Sequence, residues 1–377
     1  MFSKIVRDVS TPLEMTKKVE AIDPNRLGGS VNRPYQRMTN KRKAYAGAGV
    51  DVDLGNRLKR GLPRLARQTY GPQVLGKIGG FGGLFRASFR GLRDPVLVAS
   101  MDGVGTKLKI AFAMDKHDTV GADLVNHCVN DIAVLGARPL FFLDYIGTEK
   151  LESRVFSELL SGFSKACRAA NCALIGGETA QMPGMYRRGE YDLAGCIVGV
   201  VDRAQIIDGS KVRIGDAILG LPSNGLHTNG YSLARKILFQ RLKLKLSSRI
   251  LGVRGTLGEE LLRVHKNYQP LLMKVPRGMI HGLAHITGGG LIDNLPRILP
   301  KNYNAVIDIH SWRVPEIFNF IGRMGKVDRA EMYQIFNMGI GMVAIVSQRD
   351  VAPVKRMLRA RVIGGIERGT GKTRLIF

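Results

Sequence analysis

The chain has 377 residues, of which 45% are hydrophobic and 23% are charged. This composition excludes a fibrous or wholly disordered protein and leaves room for two globular domains of about 100 to 200 residues each. Lys and Arg number 57 against 31 Asp and Glu, a net charge of +26, which favours nucleic acid, an anionic surface or phosphorylated small molecules as partners, with charge adaptation of the host as the alternative.

Cysteine content and hydropathy indicate a reduced, soluble protein. Cys128, Cys167, Cys172 and Cys196 are not at zinc-ligand spacing, and no apolar run approaches the roughly 18 residues that span a bilayer. The N-terminus lacks the apolar core of a secretory signal. We therefore expect a cytoplasmic protein with no membrane contact, or an organelle-matrix protein if its N-terminal extension is a targeting segment.

Residues 1–43 are predicted to be a basic, flexible extension. They are rich in Lys and Arg but contain few apolar clusters. Acids such as Asp8 and Glu14 make a poor match to a transit peptide. A solvated segment without a catalytic role is the interpretation that we favour, and Met38 is an alternative start.

The first strong element is a predicted strand at residues 95–99, which runs into Asp102-Gly-Val-Gly-Thr-Lys107. Apolar residues at 124, 125, 128, 129 and 132 then predict one face of a helix. The other faces of this helix carry Asp123, His127, Asn130 and Asp131. Strands are predicted at 140–145 and at 173–175, and the second of these leads into Gly176, Gly177, Glu178 and Thr179.

A polar, turn-rich segment at 202–215 marks a predicted domain boundary near residue 208. We therefore predict an N-terminal domain over 44–208 and a C-terminal domain over 209–377. The second half repeats the strand, loop and helix order: a strand at 218–221 precedes Ser223 to Gly230, and His285-Ile-Thr-Gly-Gly-Gly290 precedes a short helix. The fold class is α/β (α+β).

The glycine-rich segment at 102–107 suits phosphate binding, because glycines let backbone N–H groups approach phosphate oxygens and a carboxylate holds Mg²⁺ against them. A plain turn is the alternative. No Walker motif is present: Gly371-Lys372-Thr373 ends like one, but Ile366 stands where its first glycine is needed.

Three carboxylates and two histidines are further candidates. Asp102, Asp131 and Glu178 would repel one another at a shared site unless a cation held them, and each has surface or capping roles as its alternative. His227 and His285 lie beside small residues, where an imidazole binds phosphate or moves a proton; a structural role is the alternative. Thr287 and the glycines after it suit an anion cradle.

Ordered motifs along residues 45–366 together resemble the aminoimidazole ribonucleotide synthetase family (phosphoribosylformylglycinamidine cyclo-ligase). In the first half the motifs are AGVD at 48–51, IGGFG at 78–82, DGVGTKL at 102–108, CVND at 128–131, PLFFLDY at 139–145, GGETA at 176–180 and MPGMY at 182–186. In the second half they are GLHTNGYSL at 225–233, TGGG at 287–290, NLPR at 294–297 and FNMGIG at 336–341.

The resemblance implies a two-domain fold in which the N-terminal sheets of two subunits pair across a homodimer. It implies ATP-dependent closure of formylglycinamidine ribonucleotide to aminoimidazole ribonucleotide, with release of ADP and phosphate, in de novo purine biosynthesis. ATP and Mg²⁺ are the implied cosubstrate and cofactor, and a need for a monovalent cation stays open. Other ATP-using enzymes of this fold, such as thiamine monophosphate kinase, and an RNA- or ribosome-associated relative are the alternatives.

The resemblance also assigns roles to residues. Asp102, Asp131 and Glu178 are the implied metal ligands, and Asp102, Lys107 and His285 are the implied catalytic residues. The implied contacts with nucleotide or phosphate are Gly79, Gly80, Phe81, Gly82, Gly103, Gly105, Thr106, Asn130, Gly176, Gly177, Thr179, His227, Asn229, Thr287, Gly288 and Gly289.

Overall fold

The structure is a computed structural model that describes residue 57, residues 60–76, residue 78 and residues 82–377. The predicted basic extension at 1–43 lies outside the described residues, and so do Gly79, Gly80 and Phe81 of the predicted nucleotide loop. Within the described residues, the structure contains no helix with the length and apolar character that a membrane span requires.

The first half is a four-stranded sheet covered by helices on one face. Its strands are β1 (Pro95–Gly103), β2 (Arg138–Thr148), β3 (Ala173–Gln181) and β4 (Tyr191–Asp202), in the order β1-β4-β2-β3. Strand β4 is antiparallel to both β1 and β2, whereas β3 is parallel to β2. The helices are α1 (Leu62–Arg67), α2 (Leu108–Met114), α3 (Asp118–Ala133) and α4 (Ser153–Ala169), with a 3₁₀ turn at Gly105–Lys107.

The second half is a six-stranded mixed sheet. Its strands are β5 (Ala217–Pro222), β6 (Ile280–His285), β7 (Tyr303–Asp308), β8 (Ile340–Val346), β9 (Arg361–Arg368) and β10 (Thr373–Ile376), in the order β10-β7-β9-β5-β8-β6. The helices are α5 (Tyr231–Arg235), α6 (Leu257–Leu261), α7 (Gln269–Leu272), α8 (Gly290–Asn294), α9 (Glu316–Gly325), α10 (Arg329–Ile335) and α11 (Val351–Leu358). A π-helical segment at Lys236–Arg241 continues α5, and 3₁₀ turns lie at Arg203–Gln205, Leu295–Ile298 and Gln348–Asp350.

The strands and the helix predicted near the first glycine-rich loop are confirmed, with one difference of consequence. Strand β3 does not end at Ile175 but stays paired with β2 as far as Gln181. Glu178 is therefore a residue within a strand and not part of a loop. The predicted boundary near residue 208 falls between β4 and β5 and stays a prediction, since the described residues on both sides of it belong to one compact unit.

The two faces of the first sheet differ sharply. Side chains of β1 alternate between half-buried and exposed, as expected for a strand with one face covered. Ser100 and Asp102 lie on the face that packs under α3, whereas Leu97 and Met101 point to the other face and are 62% and 68% exposed. Phe141 and Tyr145 of β2 share this open face by register. Phe85 packs on Phe141, with ring centroids 5.3 Å apart, whereas the part of this face at Leu97 and Met101 is an exposed apolar surface.

Candidate active site

A cleft of about 380 Å³ lies where loops from both halves of the chain meet. One wall is the end of β1 and the turn after it, and the other walls come from the loops after β5 and β6. The lining residues are Asp102, Gly103, Val104, Gly105, His127, Thr228, Asn229, Thr287 and Gly288. Loop segments that are up to 186 positions apart in sequence, at 102 and 288, thus form one site.

Asp102 and Asp131 converge on a single histidine, His127. Helix α3 places His127 and Asp131 one turn apart on the same face. Nε2 of His127 lies 2.9 Å from Oδ2 of Asp102 and 3.8 Å from Oδ2 of Asp131. Ser100 donates a 3.2 Å hydrogen bond to Asp131 from the neighbouring strand β1. The predicted meeting of Asp102 and Asp131 therefore occurs within one chain.

His285, the last residue of β6, completes this group from the second half. Its Nδ1 lies 2.8 Å from Oδ1 of Asp131, and its Nε2 lies 3.0 Å from Nε2 of His265. Thr228 contacts Nδ1 of both His127 and His265, at 2.8 and 3.3 Å. The polar side chains thus form a continuous hydrogen-bonded network beneath the cleft.

Charge pairing sets the protonation of the network. Burial acts to raise the pKa of Asp102, but the hydrogen bond and charge of His127 outweigh it and leave the pKa lowered. Burial also acts to raise the pKa of Asp131, but the hydrogen bond and charge of His285 outweigh it and leave the pKa lowered. Burial acts to lower the pKa of His127, and the two carboxylates reverse this and raise it. Burial lowers the pKa of His285. The cleft therefore presents ionised carboxylates.

Lys107 and Asn130 are occupied inside the protein and do not line the cleft. The Lys107 ammonium is fully buried; it lies 2.8 Å from Asp123 and donates to the Arg263 carbonyl oxygen at 2.6 Å. The Asn130 side chain donates to the Lys266 carbonyl oxygen and accepts from the Tyr268 N–H, both at 2.8 Å. These bonds differ from the expected contacts with phosphate and nucleotide, because both side chains already hold the two halves together.

His227 also differs from its expected role. It is 1% exposed, stacks on His265 with ring centroids 4.1 Å apart, and bonds Asn224 through Nε2. Burial lowers its pKa well below the usual range, so the ring is neutral. The neutral ring packs behind the cleft, where it supports His265.

Glu178 does not lie beside Asp102 and Asp131 within one chain, and its predicted role as a metal ligand stays a prediction. The register aligns Asp102 with Gly195, Asp144 and Gly177 across the sheet, so these residues share one face. Glu178 follows Gly177 and therefore points to the opposite, open face. It also lies on the other edge strand, three strand spacings or about 14 Å away.

Gly176 and Thr179 lie on β3 with Glu178, away from the cleft, as does Gly177. Gly82 is an exposed residue of the described chain and also does not line the cleft. Thr106 contacts Ser232 of the second half at 3.1 Å. Its predicted contact with nucleotide stays a prediction.

The loop at 287–290 is held in a shape that only glycine suits. Gly289 and Gly290 have φ angles of +94° and +56°. A Cβ on Gly290 would lie 1.9 Å from the Tyr333 carbonyl oxygen. The Asn294 side chain donates to the Gly288 and Gly290 carbonyl oxygens at 3.1 and 2.8 Å. These hydrogen bonds hold the loop in place, and Thr287 and Gly288 lie at the cleft surface.

Sequence reasoning did not assign a role to His127, Thr228 or His265. A signal for His127 was present, since it precedes Asp131 by one helical turn. His265 carries no local signal: it lies in an irregular segment between α6 and α7 and reaches the site only through the fold. Asn229 lines the cleft, and its buried Nδ2 group has no hydrogen-bond partner among the described residues.

Two α/β halves that meet at a polar cleft of carboxylates, histidines and glycines define the class, a two-domain α/β protein with its site at the junction. The chain belongs to the family of AIR synthase related proteins. The model of the family's N-terminal domain matches residues 88–201, and that of its C-terminal domain matches residues 213–375. The resemblance seen in the sequence and the expected fold class are confirmed.

Curated relatives are similar over most of their length. A phosphoribosylformylglycinamidine cyclo-ligase of Pseudothermotoga lettingae is 53% identical over 330 residues, 86% of this chain and 97% of that protein. The enzyme of the same name from Alkaliphilus oremlandii is 49% identical over 331 residues, with the same coverage of both chains.

Two solved structures share the fold. A thiamine-monophosphate kinase from Stenotrophomonas maltophilia has a TM-score of 0.62 at 20% identity and covers 83% of this chain and 94% of its own. The hydrogenase maturation protein HypE, solved in complex with ATP, has a TM-score of 0.62 at 20% identity, over 87% of this chain and 93% of its own. These likenesses show the architecture alone.

Proposed function

We propose that the cleft binds ATP and formylglycinamidine ribonucleotide and closes the imidazole ring, releasing aminoimidazole ribonucleotide, ADP and phosphate. The chain is then an ATP-dependent ligase of purine biosynthesis, like the cyclo-ligases it resembles over 86% of its length. The observation that carries the proposal is that Asp102, His127 and the loop at Thr287 line one cleft, with Asp131 beside His127.

The reaction balances as two displacements. The formyl amide oxygen attacks the γ-phosphorus of ATP and ADP leaves; an amidine nitrogen then attacks the activated carbon, the bond from carbon to the phosphate oxygen breaks, and the nitrogen loses a proton. Such phosphoryl transfer depends on positioning and charge neutralisation more than on a covalent nucleophile. A cleft without a nucleophilic cysteine or serine in its lining fits this requirement.

Different residues of the site would position the phosphates, neutralise their charge and accept the proton. Asp102 and Asp131 offer ionised carboxylate oxygens at the cleft, the donor type that Mg²⁺ prefers, and would hold the ion that neutralises phosphate charge. Thr287, Gly288 and Asn229 line the cleft and would contact the phosphates. His285, bonded to Asp131, is placed to take the proton that the nitrogen loses.

A homodimer is part of the proposal. The open face of the first sheet carries Leu97 and Met101, more than half exposed, beside half-buried Phe141. Apolar patches of this kind mark interaction sites, and a sheet face covers itself well with a second copy related by a twofold axis. Glu178 lies on the same face, so its implied role as a metal ligand depends on the dimer.

The test is substrate dependence of ATP cleavage. Purified protein is mixed with Mg²⁺ and ATP, and ADP release is followed with formylglycinamidine ribonucleotide, with thiamine monophosphate, and with neither. We expect ADP release, matched by aminoimidazole ribonucleotide, only with the first substrate. Release that is stimulated only by thiamine monophosphate would contradict the proposal and indicate a kinase of the same fold.

A further inference from the structure

The network beneath the cleft contains a ligand set that differs from an oxygen-only magnesium site. His127, Asp131 and His285 each offer one ligand atom, and these atoms all lie within 4.8 Å of one another. Asp102 places a further carboxylate oxygen 2.9 Å from Nε2 of His127. Two imidazoles and one carboxylate around one point match the three protein ligands of an open four-coordinate site, and Asp102 lies beside them as a candidate fourth ligand.

The outer nitrogens of both imidazoles are already engaged. Nδ1 of His127 lies 2.8 Å from Oγ1 of Thr228, and Nε2 of His285 lies 3.0 Å from Nε2 of His265. If both outer nitrogens donate, the inner nitrogens keep their lone pairs and face the carboxylates. Nδ1 of His265 donates in turn to Thr228. Metal-binding histidines are typically oriented and made basic by such outer partners.

The surroundings keep these ligands in place. His127 and His285 are 4% and 6% exposed, and they come from different halves of the chain. Asp131 is partly exposed, and Asp102, which lines the cleft, is more exposed still. Nε2 of His127 faces Oδ2 of Asp102 at 2.9 Å and Oδ2 of Asp131 at 3.8 Å, so a cation between these atoms would need no change in fold.

We propose that His127, Asp131, His285 and Asp102 form a site for a d-block divalent cation such as Zn²⁺, separate in kind from the Mg²⁺ that accompanies ATP. Imidazole nitrogen favours Zn²⁺ and its neighbours in the series, whereas Mg²⁺ takes oxygen ligands and keeps much of its water. This inference rests on the proposed function and adds a means of regulating it. Zn²⁺ bound to Asp102 and Asp131 would inhibit ring closure.

The direct test uses metal alone and needs no turnover. Metal-stripped full-length protein is titrated with CoCl₂, whose visible absorption reports low-coordinate nitrogen and oxygen ligation, and ZnCl₂ is then added in competition. We expect one Co²⁺ per chain, displaced by Zn²⁺ at equal concentration and retained in excess MgCl₂. His127→Gln and Asp131→Asn should abolish the absorption, whereas His310→Gln, which removes an exposed imidazole elsewhere, should preserve it.

A variant of a residue that is not a ligand should weaken metal binding without abolishing it. Thr228→Val removes the oxygen that orients both His127 and His265 and should weaken Zn²⁺ binding about 10- to 100-fold without abolishing it. Thermal unfolding checks that each variant is folded; Asp131, partly exposed, is the substitution least disturbing to the core. Absence of Co²⁺ absorption in the wild type, or equal absorption in folded Asp131→Asn, would overturn the site.

The ligase activity and the cation site are tested by different measurements. Turnover with Mg²⁺ in the presence of a zinc chelator tests the ligase alone, and Co²⁺ absorption tests the cation site alone. If both stand, added ZnCl₂ should inhibit turnover and the chelator should restore it. Turnover unaffected by ZnCl₂ at a concentration that fills the site would refute the regulatory part.

Discussion

Lys107 and Asp123 form a fully buried ion pair, with Nζ 2.8 Å from Oδ2. The pair also joins the two halves of the chain, because Nζ donates to the Arg263 carbonyl oxygen and Oδ1 of Asp123 accepts from the His265 N–H at 2.6 Å. Burial lowers the pKa of Lys107 and raises that of Asp123. The ion pair therefore fixes the segment that carries His265 beneath the cleft.

Removing one charge of this pair should be severely destabilising. Lys107→Met leaves Asp123 buried without a counter-ion, so we expect the free energy of unfolding to fall by about 3–5 kcal/mol, measured by urea denaturation. Lys109→Met breaks a partly exposed pair with Glu190 and should cost about 1 kcal/mol or less. If Lys107 instead served only to contact phosphate, Lys107→Met would retain its stability and lose affinity for ATP.

The sequence predicted those site residues whose positions depend on their neighbours in the chain. Asp102 and Asp131 were predicted because a strand end and a helical period are written in neighbouring residues. Glu178 was predicted to follow the end of a strand at Ile175. It lies inside β3 instead, because pairing with β2 extends this strand through Gly176 and Gly177, two residues that are typical of loops. His265 was missed since its position depends on contacts with residues more than a hundred positions away.

The burial of Lys107 was likewise not predictable from its neighbours. A lysine after two glycines resembles a phosphate contact, and only the packing of α3 supplies the buried carboxylate that captures it. The fold class, by contrast, followed from the order of motifs along the chain, and the family match confirms it.

Two of the three glycines in the loop after β6, Gly288 and Gly290, should respond differently to alanine. A Cβ on Gly288 would lie 3.3 Å from Oδ1 of Asn229 at the cleft. We expect Gly288→Ala to change stability by about 1 kcal/mol or less but to raise the KM for ATP, because the methyl group enters the anion cradle. An unchanged KM would show that the phosphates lie elsewhere.

Gly290→Ala serves as the contrasting variant. Its Cβ would meet the Tyr333 carbonyl oxygen at 1.9 Å, and its φ of +56° disfavours a side chain. We expect a loss of about 3 kcal/mol or more in the free energy of unfolding, seen as a lower midpoint in thermal denaturation. A stability equal to that of Gly288→Ala would contradict the backbone shape described for the loop.

Charges on the open face of the first sheet should prevent dimer formation. Leu97→Lys together with Met101→Lys places two ammonium groups on the apolar surface, and burying them in a dimer would be costly. We expect a dimer for the wild type and a monomer for the double variant in sedimentation equilibrium. Leu251→Lys, at a side chain 96% exposed in the second half, is the control and should stay dimeric.

Acidification should destabilise the protein through His227. Burial lowers the pKa of this imidazole well below 6.5, so between that lowered pKa and 6.5 the unfolded chain binds a proton that the folded chain does not. Stability contributed by the neutral ring is therefore present above about pH 6.5 and is lost as the pH falls, by up to about 1.4 kcal/mol per pH unit.

The measurement is the slope of unfolding free energy against pH between about 7 and 5. His227→Gln, if folded, should show a slope smaller than that of the wild type by as much as one proton. Equal slopes in His227→Gln and wild type would show that His227 does not stay neutral in the folded protein.

The most direct test of the central claim compares two aspartates eight positions apart. Asp102 lines the cleft and contacts His127, whereas Asp94 is an exposed residue before β1 whose nearest cation, Arg203, is 3.7 Å away. ADP release that depends on formylglycinamidine ribonucleotide should fall at least about 100-fold in kcat/KM for Asp102→Asn and stay at the wild-type value for Asp94→Asn. Full activity in folded Asp102→Asn would contradict the assignment of this cleft as the active site.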